Sequence, residues 1–407
     1  MTAPHMELDV LGLFGACSYA LDCVEAELVH VTTFHAKRVA YMSVCTAEQF
    51  GVSGEALQDL AVCALLHDNA LTQYLHEEFR GDSSAAECLP ELPHLGAHCV
   101  MGEENISALP FHTNVENIIL YHHENADGSG SFGKTWQEIP LGARIIRLCD
   151  LLDAFCRADV FTPDVWERAN AFLTRVRGRI VDEECADAFL RAFSEQHFCS
   201  LGGRGLEERL WSKVPRTKQQ LDFAQVKALA KFFAKIVDYK SPFTSTHSLG
   251  VADDAECLAR FMGFDEDTAQ KMYLAGALHD IGKVAIGNEI LEKPGRLTDS
   301  EYAEMKHHAA YTYYVLSEVQ DFAELRDWAA FHHEHLDGTG YPFGKNESEL
   351  NTQERIMACV DIYQALTENR PYKAGMSHEK ACSILLDMAE KGWLDRAIVE
   401  QVNACFA

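Results

Sequence analysis

His279-Asp280-Ile281-Gly282-Lys283, followed downstream by His332-His333-Glu334-His335-Leu336-Asp337-Gly338-Thr339-Gly340-Tyr341-Pro342, is the stretch on which the reading of this chain turns. Around it stand His247, His308 and Asp361, so that five histidines and two aspartates recur in one half of the chain. The N-terminal half carries the same set as His35, His67-Asp68, His98, His122-His123 and Asp150. Matching members lie 210 to 212 residues apart, an offset that chance histidines would not hold over five positions. The chain is therefore a tandem duplication of a metal-binding domain. Imidazole and carboxylate donors without thiolate suit Fe, Mn, Zn or Ni better than Mg or Ca. Seven such donors are too many for one tetrahedral ion and enough for two, with one carboxylate, most simply Asp280, bridging. Two metals about 3.5–4 Å apart form a clamp for in-line attack on phosphorus, with a bridging hydroxide as nucleophile.

The surrounding texture is helical. Apolar residues recur at three- and four-residue steps, as in Leu274, Ala277, Leu278 and Ile281, and alternating β-branched runs are scarce. Thr298-Asp299-Ser300-Glu301 has the form of a capping box and should start the helix that carries His308. Asp337-Gly338-Thr339-Gly340 and Asp127-Gly128-Ser129-Gly130 are turns, each just after a His-His pair. The expected fold is all-α: two tandem helical bundles with metal sites in the bundle cores. The expected domains are 1–205 and 222–407, with a connection around 206–221, where Gly202-Gly203-Arg204-Gly205 and Pro215 stand among mixed charges.

Bulk properties narrow the function classes. A chain of 407 residues, 47% hydrophobic and 24% charged, is long enough for two buried cores. Its longest apolar stretches, such as 61–66, are far too short to span a bilayer. Met1-Thr2-Ala3-Pro4-His5-Met6-Glu7 lacks the layout of a signal peptide, and a cytoplasmic location is expected. A formal net charge of −27 argues against a nucleic-acid polymer as partner. It leaves room for a small phosphate ligand, because bound divalent metals would make the site locally positive. The fourteen cysteines show no Cys-x-x-Cys spacing. Several (Cys63, Cys149, Cys257, Cys359) sit in apolar helical stretches, so free thiols are expected.

The two motifs resemble the HD-GYP family, all-helical bacterial phosphodiesterases of the HD superfamily that hydrolyse cyclic dinucleotides. The resemblance extends to Asp361-Ile362-Tyr363 and Arg370-Pro371-Tyr372-Lys373. It covers 222–407 strongly and the N-terminal half more weakly, and it makes the bundles HD-type. It implies that His247, His279, Asp280, His308, His332, His333 and Asp361 hold two divalent ions, iron or manganese, with nickel and zinc as alternatives. It implies catalytic roles for Asp280 and Lys283, and substrate contacts from Lys283, Tyr341, Arg370 and Lys373. Lys283 lies three residues after Asp280, on the same helical face. Some family members bind a third metal through a Glu four residues before the first histidine; Phe243 stands there and cannot ligate. Where the family often has Asp, this chain has Gln364. The implied substrate is a cyclic dinucleotide, cyclic di-GMP or 3′,3′-cGAMP, cut to the linear dinucleotide or to mononucleotides. No membrane partner is implied, and the sequence leaves a homodimer open.

The first copy keeps every ligand type, so His35, His67, Asp68, His98, His122, His123 and Asp150 form a second candidate metal site. It loses the rest. Lys283 maps to Leu71; Gly340-Tyr341-Pro342-Phe343-Gly344 becomes Gly130-Ser131-Phe132-Gly133; and Arg370-Pro371-Tyr372-Lys373 becomes Asp159-Val160-Phe161-Thr162, without a cation. This copy is expected to be structural or regulatory. Two other functions compete with a phosphodiesterase: a non-catalytic cyclic-dinucleotide sensor, and an HD-type nucleotide phosphohydrolase. The complete ligand set with Lys283 argues against the first, and the His332-His333 pair with the Gly340-Tyr341-Pro342 loop against the second. Lone histidines such as His94, His112, His197 and His335 are read as ordinary surface or core residues.

Overall fold

The computed structural model describes residues 5–29, 34–71, 73, 74, 96–156, 164–203, 205–214, 216–240, 247–291, 293, 295–369 and 374–407, with backbone alone at 19–21, 23–29, 238 and 240. Phe243, Arg370, Lys373 and the segment 159–162 lie outside these residues. The all-α expectation holds: helices dominate. The sheet among the described residues is a pair of three-residue strands, Met6–Leu8 and Gln219–Leu221, antiparallel with Met6 opposite Leu221. No described helix is long and apolar enough to cross a membrane.

Contacts divide the chain into one unit over Val10–Thr217 and another over Lys218–Ala407 together with Met1–Asp9. This differs from the expected 1–205 and 222–407 with a bare connection at 206–221. Leu206–Lys213 is a helix of the first unit, tied to it by Lys37 Nζ on Glu207 at 2.8 Å and Lys213 Nζ on Glu48 at 2.6 Å. Gln219–Leu221 is the strand that holds the chain's N-terminal strand in the second unit. Pro215 and Arg204 lie outside the described residues; Gly205, at φ +86°, is the residue from which the helix starts.

Within the second unit the helix His247–Phe261 lies against Glu266–Leu278, and Thr352–Thr367 packs on the first of these. Both faces of the first pair are built from buried small and aliphatic side chains, among them Val251, Ala252, Ala255, Leu274, Ala275, Ala277 and Leu278. The helices come so close that a Cβ on Gly276 would stand 2.7 Å from Cα of Ala252. An alanine there would overpack the contact at a cost of about 1–3 kcal/mol. This approach brings His247, at the start of one helix, beside His279, which ends the other. The first unit repeats the plan with His35–Glu48 against Glu55–Leu65, and with Leu141–Cys156 on the former.

The capping box at Thr298 forms, with the Thr298 side chain accepting from the Glu301 amide and the Glu301 carboxylate accepting from the Thr298 amide. It opens a seven-residue helix, Asp299–Met305, and not the helix carrying His308 as expected. The chain breaks at Lys306 and a separate helix, His307–Ser317, carries the ligand. Twelve described cysteines are free thiols, most of them buried. Cys257, placed in an apolar helical stretch with Cys63, Cys149 and Cys359, is exposed where those three are buried.

Candidate metal centre

The second unit delivers its seven candidates from five places in the chain. His247 begins a helix, His279 caps the end of Glu266–Leu278, and Asp280 opens the 3-10 turn Ile281–Ala285. His308 is in the first turn of its helix, His332-His333 follow Ala323–Ala330, and Asp361 is inside Thr352–Thr367. They gather into two half-sites, His247 with His279 and Asp280, and His308 with His332 and His333, the donor atoms of each lying within 4.8 Å of one another. Asp280 belongs to both. Its Oδ2 is 3.1 Å from Nε2 of His279, and its Oδ1 is 3.4 Å from Nε2 of His308 and 4.0 Å from that of His332. Asp361 Oδ1 closes the other side, 3.1 Å from Nε2 of His247 and 3.6 Å from Nε2 of His279.

Local backbone geometry aims the rings. Nδ1 of His279, His308 and His332 sits 2.7, 2.6 and 2.6 Å from the carbonyls of Gly276, Met305 and Ala329, each three residues back. A carbonyl can only accept, so the proton is on Nδ1 and the Nε2 lone pair faces the site. Burial drives His332 down to about 3, and burial with the neighbouring His332 holds His333 well below its usual value. Burial works against the charged form of Asp280, yet His279 and Lys283 hold its carboxyl well below the usual range. His332 and His333 beside ionised Asp280 have the states a divalent metal needs in its ligands, while at His279 burial is outweighed by Asp280 and the ring is held above its usual value. Nε2 of His279 and Oδ1 of Asp280 are buried without a hydrogen-bond partner. Such groups cost about 1–3 kcal/mol each if nothing compensates them, and a metal would. The donor set fits.

Around the ligands, Lys283 Nζ forms an ion pair with Oδ2 of Asp280. The Tyr341 ring lies 4.7 Å from the His333 ring and 6.3 Å from that of His308, and burial pushes its phenol far up. Lys306, which sequence reasoning passed over, places Nζ 5.2 Å from the centre of the Tyr341 ring. Its only sequence signal is a cation two residues before a ligand histidine. Glu334 is no ligand: Oε1 accepts from Phe343 N at 2.7 Å and Oε2 from Lys345 N at 2.9 Å, clamping the loop that presents Tyr341. Glu124 does the same for Phe132 and Lys134 in the first unit.

The first unit also gathers its seven candidates. Asp68 Oδ1 lies 3.4, 3.3 and 3.9 Å from Nε2 of His98, His122 and His123, and Oδ2 is 3.4 Å from that of His67. Asp150 Oδ1 is 3.5 Å from Nε2 of His35 and 3.9 Å from Nε2 of His67. His35 donates from Nδ1 to Asp153 at 2.7 Å, and Arg38 grips both oxygens of Asp153 at 2.6 and 2.9 Å. The second unit has no carboxylate at this position, and Glu368 Oε2 stands 3.8 Å from Nδ1 of His247 instead. Gln364 stands in the matching place, with its amide filling the space over Gly250, where the first unit has Arg38. Cys99 and Arg147 join the first centre without having been foreseen.

Two bundles with paired histidine–aspartate half-sites define an HD-domain protein. A family model described as the HD domain matches residues 22–181 and 231–398, and the chain belongs to that family. Among its relatives is 3′3′-cGAMP-specific phosphodiesterase 1 of Vibrio cholerae, 29% identical over 402 residues, which cover 96% of this chain and 90% of that protein. The 3′3′-cGAMP-specific phosphodiesterase 3 of the same organism is 33% identical over 70% of this chain and 62% of its own length. A cyclic di-GMP phosphodiesterase of Pseudomonas aeruginosa is 38% identical over 34% of each chain. The solved structure of a V. cholerae cyclic GMP-AMP specific phosphodiesterase, V-cGAP3, has the same fold, with a TM-score of 0.67 at 24% identity over 99% of this chain and 98% of that one.

Proposed function

We propose that the second unit is a metal-dependent phosphodiesterase that opens cyclic dinucleotides, with 3′,3′-cGAMP preferred over cyclic di-GMP. The observation that carries this is the second centre itself: two half-sites sharing Asp280, with unpartnered donor atoms facing inward and a lysine at the shared carboxylate. The choice of base rests on coverage. The relative matched along 96% of the chain is named for 3′3′-cGAMP, whereas the cyclic di-GMP phosphodiesterases of P. aeruginosa and Xanthomonas campestris match 34% and 46% of it.

Two divalent ions held by the half-sites would neutralise phosphodiester oxygens and activate water for in-line attack. Asp280, reaching both half-sites, sets their spacing. Lys283, one turn beyond it, supplies an ammonium for a phosphate oxygen once Asp280 is engaged by metal. Tyr341 keeps its proton because of burial, so its hydroxyl serves as a donor to the substrate at the wall formed by His333 and His308. Arg370 and Lys373 match the family's nucleotide contacts and would serve the second phosphate. The first unit, with Leu71 for Lys283 and no Tyr341 equivalent, does no chemistry in this reading.

The test is product formation from 3′,3′-cGAMP and cyclic di-GMP by protein loaded anaerobically with iron or manganese, beside Asp280→Ala. Linear dinucleotide should appear, faster from 3′,3′-cGAMP, and should vanish in the variant. No turnover of either substrate by the loaded wild type would sink the proposal.

A further inference from the structure

The first centre is a rebuilt site and not a faded copy of the second. Cys99 follows His98 where the second copy has Ala309 after His308. Its Sγ lies 3.7 Å from Nε2 of His98, and the donor atoms of His98, Cys99, His122 and His123 all lie within 4.8 Å of one another. Among the described residues this is the one candidate metal group that contains a thiol.

Arg147 changes the standing of His123. Its Nη1 is 3.1 Å from Nδ1 of His123, while Nη2 donates to Asn125 Oδ1 at 3.1 Å. In the second copy the same place is Ala358. A guanidinium has donors and no acceptor, and stays protonated. Nδ1 of His123 therefore accepts, and the proton of the neutral ring sits on Nε2, the atom that faces Asp68. A ring in that tautomer has no lone pair left for a metal. Ligating histidines show the opposite arrangement, donating from the nitrogen away from the ion, as His122 does from Nδ1 to the Ile119 carbonyl at 2.6 Å.

We propose that Asp68, His98, Cys99 and His122 form a closed, thiolate-containing site for one zinc-class ion, with His123 displaced from the ligand set. The spacing suits it. Zinc bonds of about 2.0–2.3 Å at tetrahedral angles give donor–donor edges of roughly 3.3 Å for N and O and 3.6 Å for N and S. The edges here are 3.4 Å for His98 to Asp68, 3.3 Å for His122 to Asp68 and 3.7 Å for His98 to Cys99, while His123 to Asp68 is longer at 3.9 Å. Structural zinc sites are closed and catalytic ones keep an open position. A thiolate and a carboxylate together cancel the charge of a divalent ion, and a fourth protein ligand leaves no place for water or phosphate. The site takes the metal and refuses the substrate.

Cobalt(II) reads the thiolate directly. Metal-free protein is loaded with cobalt under reducing, anaerobic conditions, the cobalt per chain is measured, and the near-ultraviolet spectrum is recorded for wild type, Asp280→Ala and Cys99→Ser. A thiolate-to-cobalt charge-transfer band should appear in the wild type, persist in Asp280→Ala, and disappear in Cys99→Ser. Arg147→Ala, which returns His123 to the ligand set, should keep that band and shift the visible bands towards higher coordination. Cobalt bound without the band, a band undiminished in Cys99→Ser, or no cobalt held by Asp280→Ala would each overturn the proposal. If Cys99→Ser does not fold, the wild-type and Asp280→Ala spectra decide alone.

Discussion

Asp280 and Asp68 occupy equivalent places and keep different company. Asp280 faces His279, His308 and His332 and is paired with Lys283. Asp68 faces His67, His98, His122 and His123, and the position of the lysine is taken by buried Leu71. Behind the ligands the differences compensate in pairs. Gly282 of the second unit presses on the His308 helix so closely that a Cβ would stand 2.0 Å from the His308 carbonyl, and Thr312 Oγ1 bridges Gly282 N at 3.0 Å to His279 O at 2.9 Å. In the first unit the glycine has moved to the other side of the contact: Ala70 meets Gly102, and the Asn69 amide bridges Leu66 O at 2.9 Å to Gly102 O at 3.3 Å. The packing that positions the third histidine was preserved by exchanging partners, while the groups that would touch a phosphate were not replaced. The first copy keeps the clustered histidines and aspartates without the lysine and tyrosine that stand beside them in the second.

The comparison is most exposed at the two aspartates. Asp280→Ala should lower turnover by ~10³-fold or more, the scale of several kcal/mol of metal-derived stabilisation. Asp68→Ala should lose metal and melt earlier, yet slow turnover less than about tenfold. Metal analysis beside single-turnover rates checks both. An Asp68 variant as slow as the Asp280 variant, with the second centre fully loaded, would erase the distinction. Next comes Lys283→Ala, with an expected loss of about 10–100-fold from one charged contact to phosphate. Leu71→Lys should restore nothing when Asp280 is also removed; activity in that double variant would show that a lysine is all the first copy lacks.

Gly282→Ala should destabilise the second unit by about 1–3 kcal/mol and lower its metal occupancy, read by thermal melting and elemental analysis. Ala70→Gly should cost less, about 1 kcal/mol or under. The smallest effect is in the pH profile of chelated protein. Burial depresses His308, His332 and His333, so at these three sites the folded second unit binds fewer protons than the unfolded chain, while at His279 burial is outweighed by Asp280 and the shift is upward. Its stability should fall as pH drops below about 6.5, the unfolded histidine value, and Asp280 and Asp361 should add to the loss below about 4. At His98 and His35 of the first unit the sign reverses, although burial lowers His67 and His123 beside them. Burial opposes the charged forms, but Asp68 with Cys99 raises His98 to about 9, and Asp150 with Asp153 raises His35. The stability that His98 contributes is present below about 6.5 and lost as pH rises towards 9. His332→Gln should flatten the acid limb of the melting-temperature profile and His98→Gln the alkaline limb. Identical profiles for the two variants would mean the centres titrate alike.

The clustering of the two histidine–aspartate sets, the duplication and the all-helical architecture were legible in the residues, because the candidate donors recur at fixed spacing and helical periodicity is local. The turns after each His-His pair were legible for the same reason. What lay outside local reach was decided by packing. The break at Lys306 that separates the capping box from the His308 helix, and the pairing of Met6–Leu8 with Gln219–Leu221, join or divide segments on grounds no short window contains. Nothing in the sequence sets Cys99 or Arg147 apart from other cysteines and arginines of the chain. Only the fold of the first unit brings a thiol among the clustered histidines His98 and His122 and sets a permanent donor against Nδ1 of His123. Which residues are able to bind a metal is a property of side-chain chemistry and survives in the sequence. Which of them have a lone pair free to do so depends on hydrogen-bond partners far along the chain, and that belongs to the tertiary structure.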